Sequence, residues 1–119
     1  LPFKASVVGK NAKKAIELNP KNIRAYLALG IYDYYTPKMY GGMKITEENL
    51  KKAVALTEKI DPNPFAPDWG KADAYLYLVK FYNYEKKFDD AKKYLDEGLK
   101  LFPNFELLKK MKVKFEKNG

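Results

Sequence analysis

Apolar side chains recur along this chain at helical spacing, and the runs stop repeatedly at proline. Ile23, Tyr26, Leu27, Gly30, Ile31 and Tyr34 follow an i, i+3, i+4, i+7 rhythm, which places them on one face of a helix. Ala74, Leu78, Phe81 and Tyr82 repeat it, with Tyr75 and Val79 widening the stripe. Three further segments, Ala12 to Pro20, Leu50 to Pro62 and Ala91 to Pro103, end alike. Their endings are Ile16-Glu17-Leu18-Asn19-Pro20, Glu58-Lys59-Ile60-Asp61-Pro62 and Leu99-Lys100-Leu101-Phe102-Pro103. Proline cannot donate to the helical ladder and pushes the residue before it out of the α region, so each helix should stop there. The pattern predicts helices near residues 3–18, 22–35, 46–60, 69–85, 88–102 and 104–117, with no strand-like alternation. The first of them, with Phe3, Val7, Val8, Ala12, Ala15 and Ile16 on its apolar face, reads as the second half of a helical hairpin.

Residues Ala72 to Phe105 carry a more specific spacing. Counting Ala72 as the first position, Tyr75 is the fourth, Leu78 the seventh, Tyr82 the eleventh, Ala91 the twentieth and Pro103 the thirty-second. This resembles the tetratricopeptide repeat, a helix–turn–helix unit of 34 residues. Val79 stands where the family has a small eighth residue, Lys86 replaces the turn glycine, Leu95 the aromatic twenty-fourth and Gly98 the alanine twenty-seventh. These departures are expected to loosen helix-to-helix contact. The unit beginning at Ile23 matches through Tyr26, Leu29 and Gly30, but Asp33 occupies the tyrosine position and Tyr34 follows one place later. From Ile23 through Asp61 there are 39 residues, about eight more than the repeat needs. The excess falls around Thr36 to Lys44. The resemblance therefore implies one all-α domain over residues 1–119, a short right-handed α-solenoid of about six helices. It divides into 1–20 (the second helix of a partial repeat), 22–62 (a repeat with a loop insertion), 72–105 (a regular repeat) and 106–119 (a capping helix).

Composition narrows the chemistry. The chain of 119 residues has 46% hydrophobic and 15% aromatic residues, enough for a core, and no apolar run long enough to span a membrane. It contains neither Cys nor His, which removes thiol nucleophiles, disulfides, imidazole bases and the usual zinc ligands. Fifteen Asp and Glu scattered among the lysines make no hard-metal cage or acid–base pair. No catalytic residues, metal ligands or cofactors are expected. A formal net charge of +8 favours acidic partners through long-range attraction. The chain begins Leu1-Pro2, as a processed product or an excerpt of a longer chain would, and with the lack of Cys this leans toward an exported protein.

In tetratricopeptide arrays the first helix of each repeat lines a groove with its second, fifth, ninth, twelfth and thirteenth residues. The resemblance carries these roles to Arg24, Leu27, Ile31, Tyr34 and Tyr35, then to Asp73, Leu76, Lys80, Asn83 and Tyr84. Taking Glu106 as a further first position adds Leu107, Lys110 and Lys114. A lining of tyrosine and lysine suits an extended or helical peptide of acidic character, since tyrosine offers contact area at low entropy cost and lysine offers charge. The subgroup that clamps chaperone C-terminal carboxylates needs basic or amide residues where this chain has Leu27, Ala28 and Ile31, then Asp73, Leu76 and Tyr77. That ligand is not expected.

Two irregular stretches interrupt the helices. In Thr36 to Lys44 the pair Gly41-Gly42 lacks the longer glycine pattern and Lys-Ser/Thr of a phosphate loop, and Met39, Tyr40 and Met43 are expected to fold back over the helices. In Asp61 to Gly70 the prolines read as a rigid linker, with Asp68 capping a helix that starts at Trp69, and with Phe65 and Trp69 as either anchors or a ligand-contacting edge. In the last helix Leu107, Leu108, Met111 and Phe115 define a packed face, leaving Lys109, Lys110, Lys112, Lys114 and Lys117 solvated. The basic residues are lysines with one arginine, Arg24, whereas nucleic-acid recognition leans on arginine. The sequence thus points to a protein-binding or assembly scaffold with a protein or peptide partner. Self-association into a larger array is the alternative, and nonspecific nucleic-acid binding the lesser one.

Overall fold

A computed structural model describes residues 2–57 and 70–118. Among them lie six α-helices and no strand: α1 (Pro2–Leu18), α2 (Ile23–Tyr35), α3 (Thr46–Thr57), α4 (Lys71–Tyr84), α5 (Phe88–Leu101) and α6 (Glu106–Asn118), with one 3₁₀ turn at Lys38–Tyr40. α1 and α5 stop two residues before Pro20 and Pro103, as proline requires. Asn22 accepts a hydrogen bond from the Ala25 amide at 3.2 Å and so caps the start of α2. The stop expected before Pro62, the cap at Asp68 and the roles of Phe65 and Trp69 lie outside the described residues.

Each helix packs on its neighbour in the chain, and α2 also touches α4. The main core gathers Ile23 and Leu27 of α2, Leu50, Ala53 and Val54 of α3, the apolar residues of α4, Ala91 and Leu95 of α5, and Leu108 of α6. α4 is central. Ala74, Tyr75, Leu78, Val79, Phe81 and Tyr82 are all buried, because α3 covers one side of the helix and α5 the other. The wide stripe seen in the sequence is the signature of this two-sided burial. A smaller cluster of Ala12, Ala25 and Leu29, flanked by Ala15 and Ile16, joins α1 to α2.

Close approach is set by missing side chains. A Cβ on Gly30 would come within 2.7 Å of Leu50, so glycine lets α2 and α3 touch. The same holds at Gly98, where a Cβ would meet Leu108 at 2.8 Å and Tyr75 at 3.0 Å. Glycine in place of alanine there tightens the packing of α4, α5 and α6, contrary to the expected loosening. At the end of α4 the missing turn glycine is replaced by a strained residue. Lys86 has φ +60°, and the amides of Lys86 and Lys87 donate to the Asn83 and Tyr82 carbonyls at 3.1 and 2.8 Å, a Schellman closure that ordinarily selects glycine.

Asp33 explains how the insertion is held. Its carboxylate accepts from the Ile45 amide at 2.7 Å and the Thr46 hydroxyl at 2.8 Å, and its carbonyl accepts from the Met43 amide at 3.0 Å. A tyrosine at this position could not tie the N-terminus of α3 back to α2. Met43 packs on the core as expected, but Met39 and Tyr40 are 82% and 66% exposed. The 3₁₀ turn docks through Lys38 instead, which faces both Glu85 and the Tyr84 ring, and this turns the next two side chains outward. Leu107 is also exposed. The packed face of α6 is Leu108, Met111 and Phe115.

Candidate functional site

The helical repeat of α2 brings Tyr34 and Tyr35 to its last turn, where α4 passes close by. Tyr77 of α4 completes a three-ring cluster. Ring centroids lie 5.0 Å apart for Tyr34 and Tyr35, 6.2 Å for Tyr34 and Tyr77 and 5.9 Å for Tyr35 and Tyr77, all edge-to-face, the arrangement that ring quadrupoles favour. The Tyr35 and Tyr77 hydroxyls share a hydrogen bond at 3.4 Å. The Lys80 ammonium sits 4.9 Å from the Tyr77 centroid and Lys38 lies 5.7 Å from that of Tyr84, both within cation–π range. Lys38 is also paired with Glu85 at 3.5 Å. Tyr35 and Tyr84 are 58% and 59% exposed, so the patch is an accessible surface built on two packed helices.

Two phenols of this patch, Tyr34 and Tyr77, are raised above the ordinary tyrosine value. The shared hydrogen bond with Tyr35, then burial and the negative charge of Asp73, push Tyr77 up to about 12. Tyr34 is raised by burial and by its neighbours Tyr35 and Tyr84. At neutral pH the surface therefore offers hydroxyl donors, ring faces and lysine cations. The side-chain oxygen of half-buried Asn83 is shielded from solvent and has no hydrogen-bond partner among the described residues.

The structure divides the residues that the sequence grouped together. Tyr34, Tyr35, Lys80 and Tyr84 meet in the patch. Asp73 lies near Tyr77 and also lines a small cleft beside Phe102 and Phe105. Leu27 and Leu76 are 8% and 4% exposed. They belong to the core, because α2 and α4 press against each other along that side, and they are corrected from lining to packing residues. Ile31 is half-buried against the core. Arg24 lies at the other end of α2, about 15 Å along the axis from Tyr34, in a cleft against α1. Lys110 and Lys114 are exposed on α6.

Two residues of the patch were missed in the sequence. Tyr77 falls outside the expected register, yet Asp73, Tyr77, Lys80 and Tyr84 stand at i, i+4, i+7 and i+11, a single helical face that periodicity alone could have revealed. Lys38 reaches α4 only through the fold of the insertion, and no local signal announces it. Among the described residues no group of three or more His, Cys, Asp or Glu could hold a metal ion, and no helix is long and apolar enough to cross a membrane. Comparison with protein-family models, with curated proteins and with solved structures finds no match to this chain.

Proposed function

We propose that the chain is a short right-handed α-solenoid of tetratricopeptide-like hairpins that acts as a non-catalytic interaction module, binding an acidic protein segment on the face shared by α2 and α4. The cluster of half-buried Tyr34, Tyr77 and Lys80 with exposed Tyr35 and Tyr84 carries this reading. Tyrosines are the side chains most often found as binding anchors, since they bury much area and lose little entropy. They stand here on helices that are already packed, so the partner alone bears most of the cost of ordering. The neighbour-by-neighbour packing, with α2 against α4, supports the solenoid part of the proposal. The net charge of +8 and the lysines over the rings support an acidic partner.

The test is affinity capture from the source extract with the native chain and with Tyr35→Ala/Tyr84→Ala, which removes two exposed rings and leaves the core intact. A protein recovered by the native chain after nuclease treatment and at moderate salt, and lost at least about ten-fold by the variant, supports the proposal. Equal recovery by both chains overturns it. Recovery only of nuclease-sensitive material that disappears as salt rises would instead favour nucleic-acid binding.

A further inference from the structure

The donors and acceptors of the tyrosine patch constrain what can lie on it. Lys80 can only donate, and the Tyr34 and Tyr84 hydroxyls, with no hydrogen-bond partner among the described residues, each bring a further donor. The acceptors close by are largely engaged. The Tyr77 oxygen accepts from the Tyr35 hydroxyl at 3.4 Å, Glu85 is paired with Lys38 at 3.5 Å, the Asn83 oxygen is shielded from solvent, and Asp73, a turn before Tyr77, makes an interaction of its own. A phenol oxygen can accept as well as donate, but Lys80 cannot, so the face is richer in donors than in acceptors. It also has a repeat length. Tyr77 and Tyr84 stand seven residues apart on one face of α4, about 10.5 Å along its axis, close to the about 9.3 Å that three residues of a polyproline II helix rise in one turn.

We infer that the ligand of this face is a proline-rich segment in the polyproline II conformation, its rings packed on Tyr35, Tyr77 and Tyr84 and its carbonyls accepting from tyrosine hydroxyls and Lys80. This rests on the patch being the binding face, and it names the occupant by its chemistry. Proline carries a carbonyl and no amide hydrogen, so a proline-rich segment brings acceptors at every residue and few donors that need a partner. A helix fits less well, because it commits its carbonyls to its own amides and leaves only side chains for the hydroxyls. An extended strand brings as many amides as carbonyls, and every second side chain points away from the face. A polyproline II segment repeats every third residue, so residues i and i+3 meet Tyr77 and Tyr84. It is also preformed, and little entropy is lost when it settles on rings held by packed helices.

The experiment uses three fluorescein-labelled peptides of about 18 residues, long enough for six polyproline II turns or five α-helical ones. Each has Asp at both ends; the interiors are proline-rich, alanine- and glutamine-rich and helical, or serine- and threonine-rich and extended. Titrated with the whole chain and followed by anisotropy, the proline-rich peptide is expected to bind saturably, at least about ten-fold tighter than either of the others. Tyr84→Phe, an exposed change that removes one donor and keeps the ring, should weaken it about three-fold or more. Tyr35→Ala/Tyr84→Ala should weaken it at least about ten-fold. If the helical or the extended peptide binds as tightly as the proline-rich one and the double substitution still weakens it, the inference is overturned while the patch stands as the binding face. The inference is also overturned if no peptide binds, if the proline-rich peptide binds the native chain and Tyr35→Ala/Tyr84→Ala equally, or if Tyr84→Phe leaves its binding unchanged. In those cases the affinity capture described above decides separately whether the face itself falls too.

Discussion

Tyr82 couples the stability of this fold to alkaline pH, and its hydroxyl gives a direct test of how α3 and α4 are joined. Tyr82 is 1% exposed, its ring stacks on Tyr94 at 5.6 Å and its hydroxyl donates to the Glu47 carboxylate at 2.6 Å. Tyr82→Phe keeps the stacking and removes the hydrogen bond. A hydrogen bond to a charged acceptor is worth about 1.5–3 kcal/mol. The Glu47 side chain is 40% exposed and has Lys51 at 3.8 Å, so it regains water when the hydroxyl is lost. The cost at neutral pH should therefore sit at the lower end, about 1.5 kcal/mol.

Burial first, then the Glu47 hydrogen bond and nearby carboxylates, raise the folded-state pKa of Tyr82 far above the ordinary value of 10.0. A raised phenol favours the folded state while the unfolded chain also keeps its proton. Above about pH 10 the unfolded chain ionises and the folded one does not, so the native protein loses about 1.4 kcal/mol per pH unit through this group. Tyr82→Phe lacks that loss. Urea unfolding of both chains from neutral pH to roughly pH 11 should show the variant less stable at first and the two curves meeting near the upper end. Tyr34, Tyr77 and Tyr94 are raised as well, so the variant still weakens in alkali, only less steeply. A constant difference across the whole range would refute a buried Tyr82 hydroxyl bonded to Glu47.

Asp33→Ala removes the carboxylate oxygen that accepts both hydrogen bonds at the start of α3 and should cost about 2 kcal/mol, within the range for loss of hydrogen bonding to a charged acceptor. The loss should be local, so hydrogen exchange at the Met43 and Ile45 amides should accelerate before that of α4. Lys86→Gly relieves a left-handed residue and should raise stability by about 0.5–1 kcal/mol after the added freedom of glycine in the unfolded chain is counted. A thermal midpoint unchanged or lowered by that substitution would show that Lys86 bears no strain.

The all-helical character of the chain, the stops before Pro20 and Pro103 and the burial of α4 follow from sequence, because helical period and proline stereochemistry are local properties of the backbone. The tyrosine-rich ends of α2 and α4 were legible for the same reason. Tertiary structure decided which expected lining residues remained accessible. Leu27 and Leu76 were withdrawn into the core by helix-to-helix packing, and Arg24 was placed about 15 Å along the axis from the tyrosines because it stands ten residues earlier on a rigid helix. It also decided the role of Asp33, whose carboxylate meets residues twelve and thirteen positions away, and of Lys38, which meets Glu85 and Tyr84 across the fold. Such contacts depend on how the insertion folds back, and side chains this far apart in sequence carry no shared period from which their meeting could be read.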